Sequence, residues 1–147
     1  MGNRSKSREI VLQILFWLSF DNKKKIDDYE EVVEDFKLEF EKNDYGIDVK
    51  FLNREFCLDV LSGIKFNQLE IDELIQRNLK KWKLERLSKI DLSVLRLATY
   101  EMKFNSLNPR IAINEALELV KKYGSDKSVA YVKGVLNSIK DIILEDN

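Results

Sequence analysis

The chain contains no histidine, which removes the commonest general base and the commonest transition-metal ligand. Cys57 is the only cysteine, so no internal disulfide can form; within the apolar run "EFCLDVL" it reads as a small core residue. The five glycines are scattered, and neither a phosphate-cradling loop nor a dinucleotide fingerprint can be assembled from them. Neither sign of charge is in excess: 25 Lys and Arg stand against 26 Asp and Glu. A diffuse polyelectrolyte binder is therefore not expected, and any role with nucleic acid must come from charge placed locally. Long apolar runs are missing too. The first, Ile10 to Phe20, is short for a membrane span and is interrupted by Gln13 and Ser19. It is followed by "DNKKK" rather than by a small-residue cleavage site, so no signal peptide and no membrane association are expected, and the chain is read as cytoplasmic.

What is present is helical periodicity. The 147 residues suffice for one domain with its own core, and residues 1–147 are taken as a single domain. Tyr29, Val32, Val33, Phe36 and Phe40 recur at steps of three and four between Asp28 and Asn43. After "NDYGIDVKF" a further helix is expected through Phe51, Phe56, Leu58, Leu61 and Ile64. Asn67 is then the expected N-cap of a helix burying Leu69, Ile71, Leu74, Ile75, Leu79 and Trp82. Ile90 to Met102 repeats the pattern. Pro109, the only proline, forces Asn108 out of helical geometry and opens "RIAINEALELVKKYG", whose Gly124 suits a left-handed helix end. Ser125 is the expected cap of the last helix, which carries Val129, Val132, Leu136, Ile139 and Ile143. With the apolar run at Ile10, the sum is an all-α bundle of about seven helices.

Catalysis finds little support. Carboxylate pairs such as Asp91 with Glu101 or Glu115 with Glu118 fall where helices place solvated charge, and Cys57 has no legible base beside it. No catalytic residue, metal site or cofactor is expected. Two features ask for another explanation. Arg4, Lys6 and Arg8 crowd "RSKSRE" just where a helix begins, although the positive end of a helix dipole disfavours cations. Gly134 interrupts an otherwise unbroken helix at a cost of about 1 kcal/mol relative to alanine, which points to close approach of another helix or of a ligand backbone. Phe16 and Trp17 follow the basic stretch, and Tyr131 stands near Lys133. Cations with aromatic rings are the pairing that holds single-stranded nucleic acid, while a core role for the rings and a solvated terminus is the plainer reading.

The stretches "LERLSKIDLSVLRLATYEM", "PRIAINEALELVKKYG" and "YVKGVL" resemble, in order and spacing, consecutive motifs of the transcription antitermination factor NusB family. "REIVLQILF" is similar to that family's opening helix and "FCLDVLSGI" to its middle segment, so only Asn22 to Lys50 lacks a counterpart. The resemblance implies two packed helical sub-bundles and a non-enzymatic role. It implies binding of the boxA element of nascent RNA together with the ribosomal protein NusE, and support of RNA polymerase read-through alongside other Nus factors in ribosomal RNA operons. Carried over by position, Arg4, Lys6 and Arg8 would face RNA, flanked by Gln13 and Phe16, with Arg96, Tyr131 and Lys133 as further contacts. Glu85, Asp91, Tyr100 and Glu101 would belong to the protein-docking region. Where the family usually has asparagine this chain has Lys133, and where it usually has an acidic residue this chain has Lys127.

The alternatives are a helical adaptor without antitermination activity, which binds RNA or only protein, and the N-terminal module of an RNA cytosine methyltransferase. The second would need strand and helix alternation with a glycine-rich cofactor loop, and these 147 residues contain neither.

Overall fold

The helix starts are written in short polar residues that satisfy the free N–H groups of a first turn. Ser88 Oγ accepts from the Asp91 amide at 3.0 Å, Asn108 Oδ1 from Arg110 at 2.9 Å, and Ser125 Oγ from Ser128 at 3.2 Å. A computed structural model describes residues 2–20, 29–43 and 52–146. Among the described residues are seven α-helices and no strand: α1 Gly2–Leu18, α2 Tyr29–Asn43, α3 Arg54–Phe66, α4 Gln68–Arg77, α5 Lys89–Lys103, α6 Pro109–Tyr123 and α7 Asp126–Glu145. A single 3-10 turn, Leu84–Arg86, lies between α4 and α5. The turn expected at "NDYGIDVKF", and the helix ends placed at Asp28 and Phe51, fall outside the described residues. Among the described residues no helix is long and apolar enough to cross a membrane.

The chain divides into two compact units, Met1–Ser62 and Gly63–Asn147. In the first, α1 packs on α2 and Trp17 meets Phe36 edge to face at 5.5 Å. Ile10, Val11, Leu12 and Ile14 are all buried. Asn53 caps α3 by accepting from the Phe56 amide at 3.1 Å, and its own amide donates to Ser7 Oγ at 2.7 Å, which ties α1 to the start of α3. Cys57 is buried here, with its thiol 3.8 Å from the Ser7 carbonyl oxygen. Burial outweighs the hydrogen bond and pushes the thiol up to about 12. Two results follow. At pH 8 the native chain should resist alkylation that readily labels the urea-unfolded chain, and labelling at equal rates would contradict the burial. Because the folded value lies above the ordinary 9.0, the stability from this group is complete below pH 9 and is lost as the pH climbs through about 12.

In the second unit α5 packs against α4, α6 and α7. Its buried Val94, Leu95, Leu97 and Ala98 share a core with Ala116 and Val120 of α6 and with Val132, Leu136 and Ile139 of α7. Here three sequence expectations change. Helix α4 ends at Arg77 because Asn78 Nδ2 donates to the Leu74 carbonyl at 2.7 Å and takes up that helix end. Gln76 then holds the following turn, donating to the Trp82 carbonyl at 3.1 Å and accepting from the Leu84 amide at 2.8 Å. Leu79 is buried beyond the helix, whereas Leu69 is 78% and Trp82 54% exposed. Asn67 does not cap α4; its side chain donates back to the Gly63 carbonyl at 2.8 Å and closes α3. Gly124 is extended (φ −105°, ψ −159°), not left-handed, and its Cβ would press on the Val120 carbonyl oxygen at 3.0 Å, a tight contact.

Candidate nucleic-acid interface

Helix α1 starts at Gly2, so Arg4, Lys6 and Arg8 lie inside its first two turns and not in a tail before it. Arg4 and Arg8 carry their guanidinium carbons over the Phe56 ring, 5.8 Å and 5.3 Å from its centre. The ring face is electron-rich, and it offsets part of the unfavourable charge at a helix start. The three cations differ sharply in access. Arg4 is exposed, Lys6 is half-buried and 3.4 Å from Glu9, and Arg8 is only 4% exposed. Gln13 is half-buried, and Phe16 packs edge to face on Phe20 at 4.8 Å. Trp17, which follows Phe16, is partly exposed while it contacts Phe36.

The second unit gathers another set. A pocket of about 340 Å3 is lined by Trp82, Arg86, Asp91, Lys127, Ser128 and Tyr131 among others. Asp91 sits in the first turn of α5 and Ser128 in the first turn of α7, and Ser128 Oγ donates to Asp91 Oδ2 at 2.8 Å. The other carboxylate oxygen, Oδ1, and the Tyr131 hydroxyl are buried without a hydrogen-bond partner among the described residues. Burial, and after it the charge of Asp91, push the Tyr131 phenol upward, so it is a neutral hydroxyl at physiological pH. Lys127 and Lys133 are exposed on α7. This corner therefore combines two exposed cations, Arg86 and Lys127, with an aromatic face and two polar atoms that lack partners among the described residues. Such an arrangement suits a ligand that brings phosphate, a ring and hydrogen-bonding groups together.

Other sequence-derived candidates lie apart from this corner. Arg96 makes a two-pronged ion pair with Asp72 of α4, at 2.8 Å and 2.9 Å, and both side chains are largely buried. Its fork is engaged in holding α4 to α5. Arg96→Ala should therefore lower stability by about 1–3 kcal/mol in urea unfolding, and a double-mutant cycle with Asp72→Ala should show coupling. A variant of wild-type stability with weakened RNA binding would instead identify Arg96 as a ligand contact. Tyr100 is buried and stacks on Phe104 at 6.0 Å, and Glu101 is 3% exposed, while Glu85 is exposed on the 3-10 turn. Of the four docking candidates, only Glu85 offers its side chain to the surface. Asp91 lines the pocket above.

Lys80, Lys81 and Trp82 were not among the residues singled out by sequence. The signal existed, since "LKKWK" pairs cations with an indole. Helical periodicity places Trp82 on a buried face, which masks this signal.

The family model for NusB matches residues 5–141. The chain is 42% identical over 141 residues to a transcription antitermination protein NusB of Clostridium botulinum (strain Kyoto / Type A2), covering 93% of this chain and 99% of that protein. It is 41% identical over 138 residues to the protein of the same name from Clostridium novyi (strain NT), covering 93% and 97%. Among solved structures, NusB of T. maritima superposes with a TM-score of 0.74 at 35% identity, covering 96% of this chain and 91% of that one. A chain from a crystal structure of antitermination factors NusB and NusE in complex with dsRNA shares the fold at a TM-score of 0.76 and 22% identity, covering 97% and 98%. By the extent of these matches and the all-α architecture that accompanies them, the chain belongs to the NusB family.

Proposed function

We propose that this chain is a non-enzymatic transcription antitermination factor: it binds boxA-type single-stranded RNA in nascent ribosomal RNA together with the ribosomal protein NusE. It thereby supports read-through by RNA polymerase in a complex with other Nus factors in the cytoplasm. Residues 1–147 work as one RNA-binding domain. The observation that carries this reading is the 42% identity to a protein named for transcription antitermination, over nearly the full length of both chains. The likeness in fold to a chain from a NusB, NusE and dsRNA complex supports the choice of partners.

In this reading the residues divide the labour. Arg4 and Lys6 neutralise phosphates at the start of α1, where free amides also favour anions. Arg8 holds the Phe56 ring beneath them. Gln13 and Phe16 flank this surface. In the second unit Lys127, Tyr131 and Lys133 meet RNA, and Arg96 supports that unit through Asp72. NusE docks on the side marked by Glu85, Asp91, Tyr100 and Glu101; exposed Glu85 supplies charge that guides register more than affinity, and buried Tyr100 and Glu101 hold the surface in shape.

Titration of a boxA RNA with and without NusE tests the proposal, using a scrambled RNA of equal length as the control. Tighter binding of boxA than of the scrambled strand, strengthened by NusE, is the expected result. Equal binding of both RNAs, or none with NusE present, would overturn it.

A further inference from the structure

Gly134 stands in the middle of α7, yet among the described residues no neighbouring side chain or other segment lies within 4 Å of the position its Cβ would take. Helix packing therefore does not account for the glycine, although a glycine inside a helix lowers its stability. The residue borders an open groove of about 400 Å3, together with Lys80, Lys81, Trp82, Tyr131 and Ser138. Two cations and no carboxylate line this groove, and neither lysine has an ion-pair partner among the described residues. Trp82 is exposed where a buried indole was expected, and the turn presenting it is held by both hydrogen bonds of Gln76. The Tyr131 hydroxyl, which has no hydrogen-bond partner among the described residues, belongs to the same wall.

We infer that this groove is a nucleotide subsite: a base stacks on Trp82 while the sugar–phosphate strand crosses α7 at Gly134, its charge met by Lys80 and Lys81. The inference rests on the RNA-binding reading above and adds residues which that reading does not use. Each feature answers a separate need of the ligand. A bare helix backbone lets a bulky strand approach closely, an indole face accepts any base, and unpaired ammonium groups neutralise phosphate. An acidic peptide would match the lysines alone; it would leave both the open Gly134 position and the presented indole without a purpose.

The experiment uses the full chain with the boxA RNA at fixed salt and follows RNA affinity, melting temperature and NusE binding together. Gly134→Leu should keep or raise the melting temperature, leave NusE binding intact and weaken RNA binding tenfold or more. Trp82→Ala, at an exposed position, should weaken RNA binding about fivefold or more, the lower end for a lost base stack. Lys80→Ala with Lys81→Ala should make the salt dependence shallower by about 1.4 in slope. Wild-type RNA affinity in Gly134→Leu overturns the subsite, as does loss of NusE binding with RNA binding unchanged, which would make the groove a protein site. Failure of the unsubstituted chain to bind RNA would instead overturn the RNA-binding reading, and this subsite with it.

Discussion

Gly63→Ala should destabilise the folded chain by about 1–3 kcal/mol, the usual penalty for forcing an extra methyl into a filled site. A Cβ added at Gly63 would collide with the ring and hydroxyl of Tyr100. Tyr100 is buried and stacked on Phe104, so it has little room to withdraw. Relief is available from the other side of the pair. Adding Tyr100→Phe to Gly63→Ala removes the hydroxyl and should recover part of the loss. Gly134→Ala is the opposite case within the same fold: with open space around the new methyl and a helical backbone, it should stabilise by up to about 1 kcal/mol. Chemical denaturation of the three variants decides the matter. Equal and small effects at Gly63 and Gly134 would mean that Tyr100 yields to the added methyl.

Arg4→Ala combined with Lys6→Ala should weaken RNA binding by about sixtyfold at 50 mM salt but only about threefold at 500 mM. The figures follow from counterion release. Each phosphate contact to a single strand contributes roughly 0.7 to the slope of log affinity against log salt, and two contacts contribute about 1.4. Lys6 is half-exposed and 3.4 Å from Glu9, whose side chain is largely buried, so phosphate has to compete with that carboxylate for the ammonium. Arg8→Ala should behave differently. Its guanidinium is buried over Phe56, so the expected loss is in stability, by about 0.5–2 kcal/mol from the ring contact, with little change in slope. A slope that stays the same after both Arg4 and Lys6 are removed would place the phosphate contacts elsewhere, and the α7 lysines would be the next set to replace.

The contrast among the three N-terminal cations marks where reading the sequence stops. Their clustering was plain in "RSKSRE", and the unfavourable sign at a helix start was plain too. Their unequal exposure was not, because Phe56 lies far along the chain and only folding carries its ring beneath Arg4 and Arg8. Arg96 is the same case. Its neighbours "VLRLA" mark a helix with one basic residue, and nothing local announces that Asp72 will occupy both prongs of its fork. Trp82 departs from its expected buried face for a different reason. Apolar spacing continued past Arg77, but Asn78 ended the helix by folding its amide back onto Leu74, so the period no longer described the backbone.

By itself the sequence determined what depends on neighbours within a few residues. Ser125 caps α7, Pro109 opens α6, and apolar steps of three and four mark the amphipathic helices, since caps and periodicity act over one or two turns. It also carried the ordered motifs by which the family is recognised. Tertiary structure alone decided which polar groups remain available. A cation with a partner from another helix is spent, as Arg96 is on Asp72, whereas Lys80 and Lys81 stay open to a ligand. It also decided the surroundings of three glycines: Gly63 makes room for Tyr100, Gly124 lies close to the Val120 carbonyl, and Gly134 faces open space among the described residues. The physical reason is the same throughout. A side chain's access and surroundings are set by close packing between segments distant in sequence, and no local pattern encodes which distant atom will fill the space.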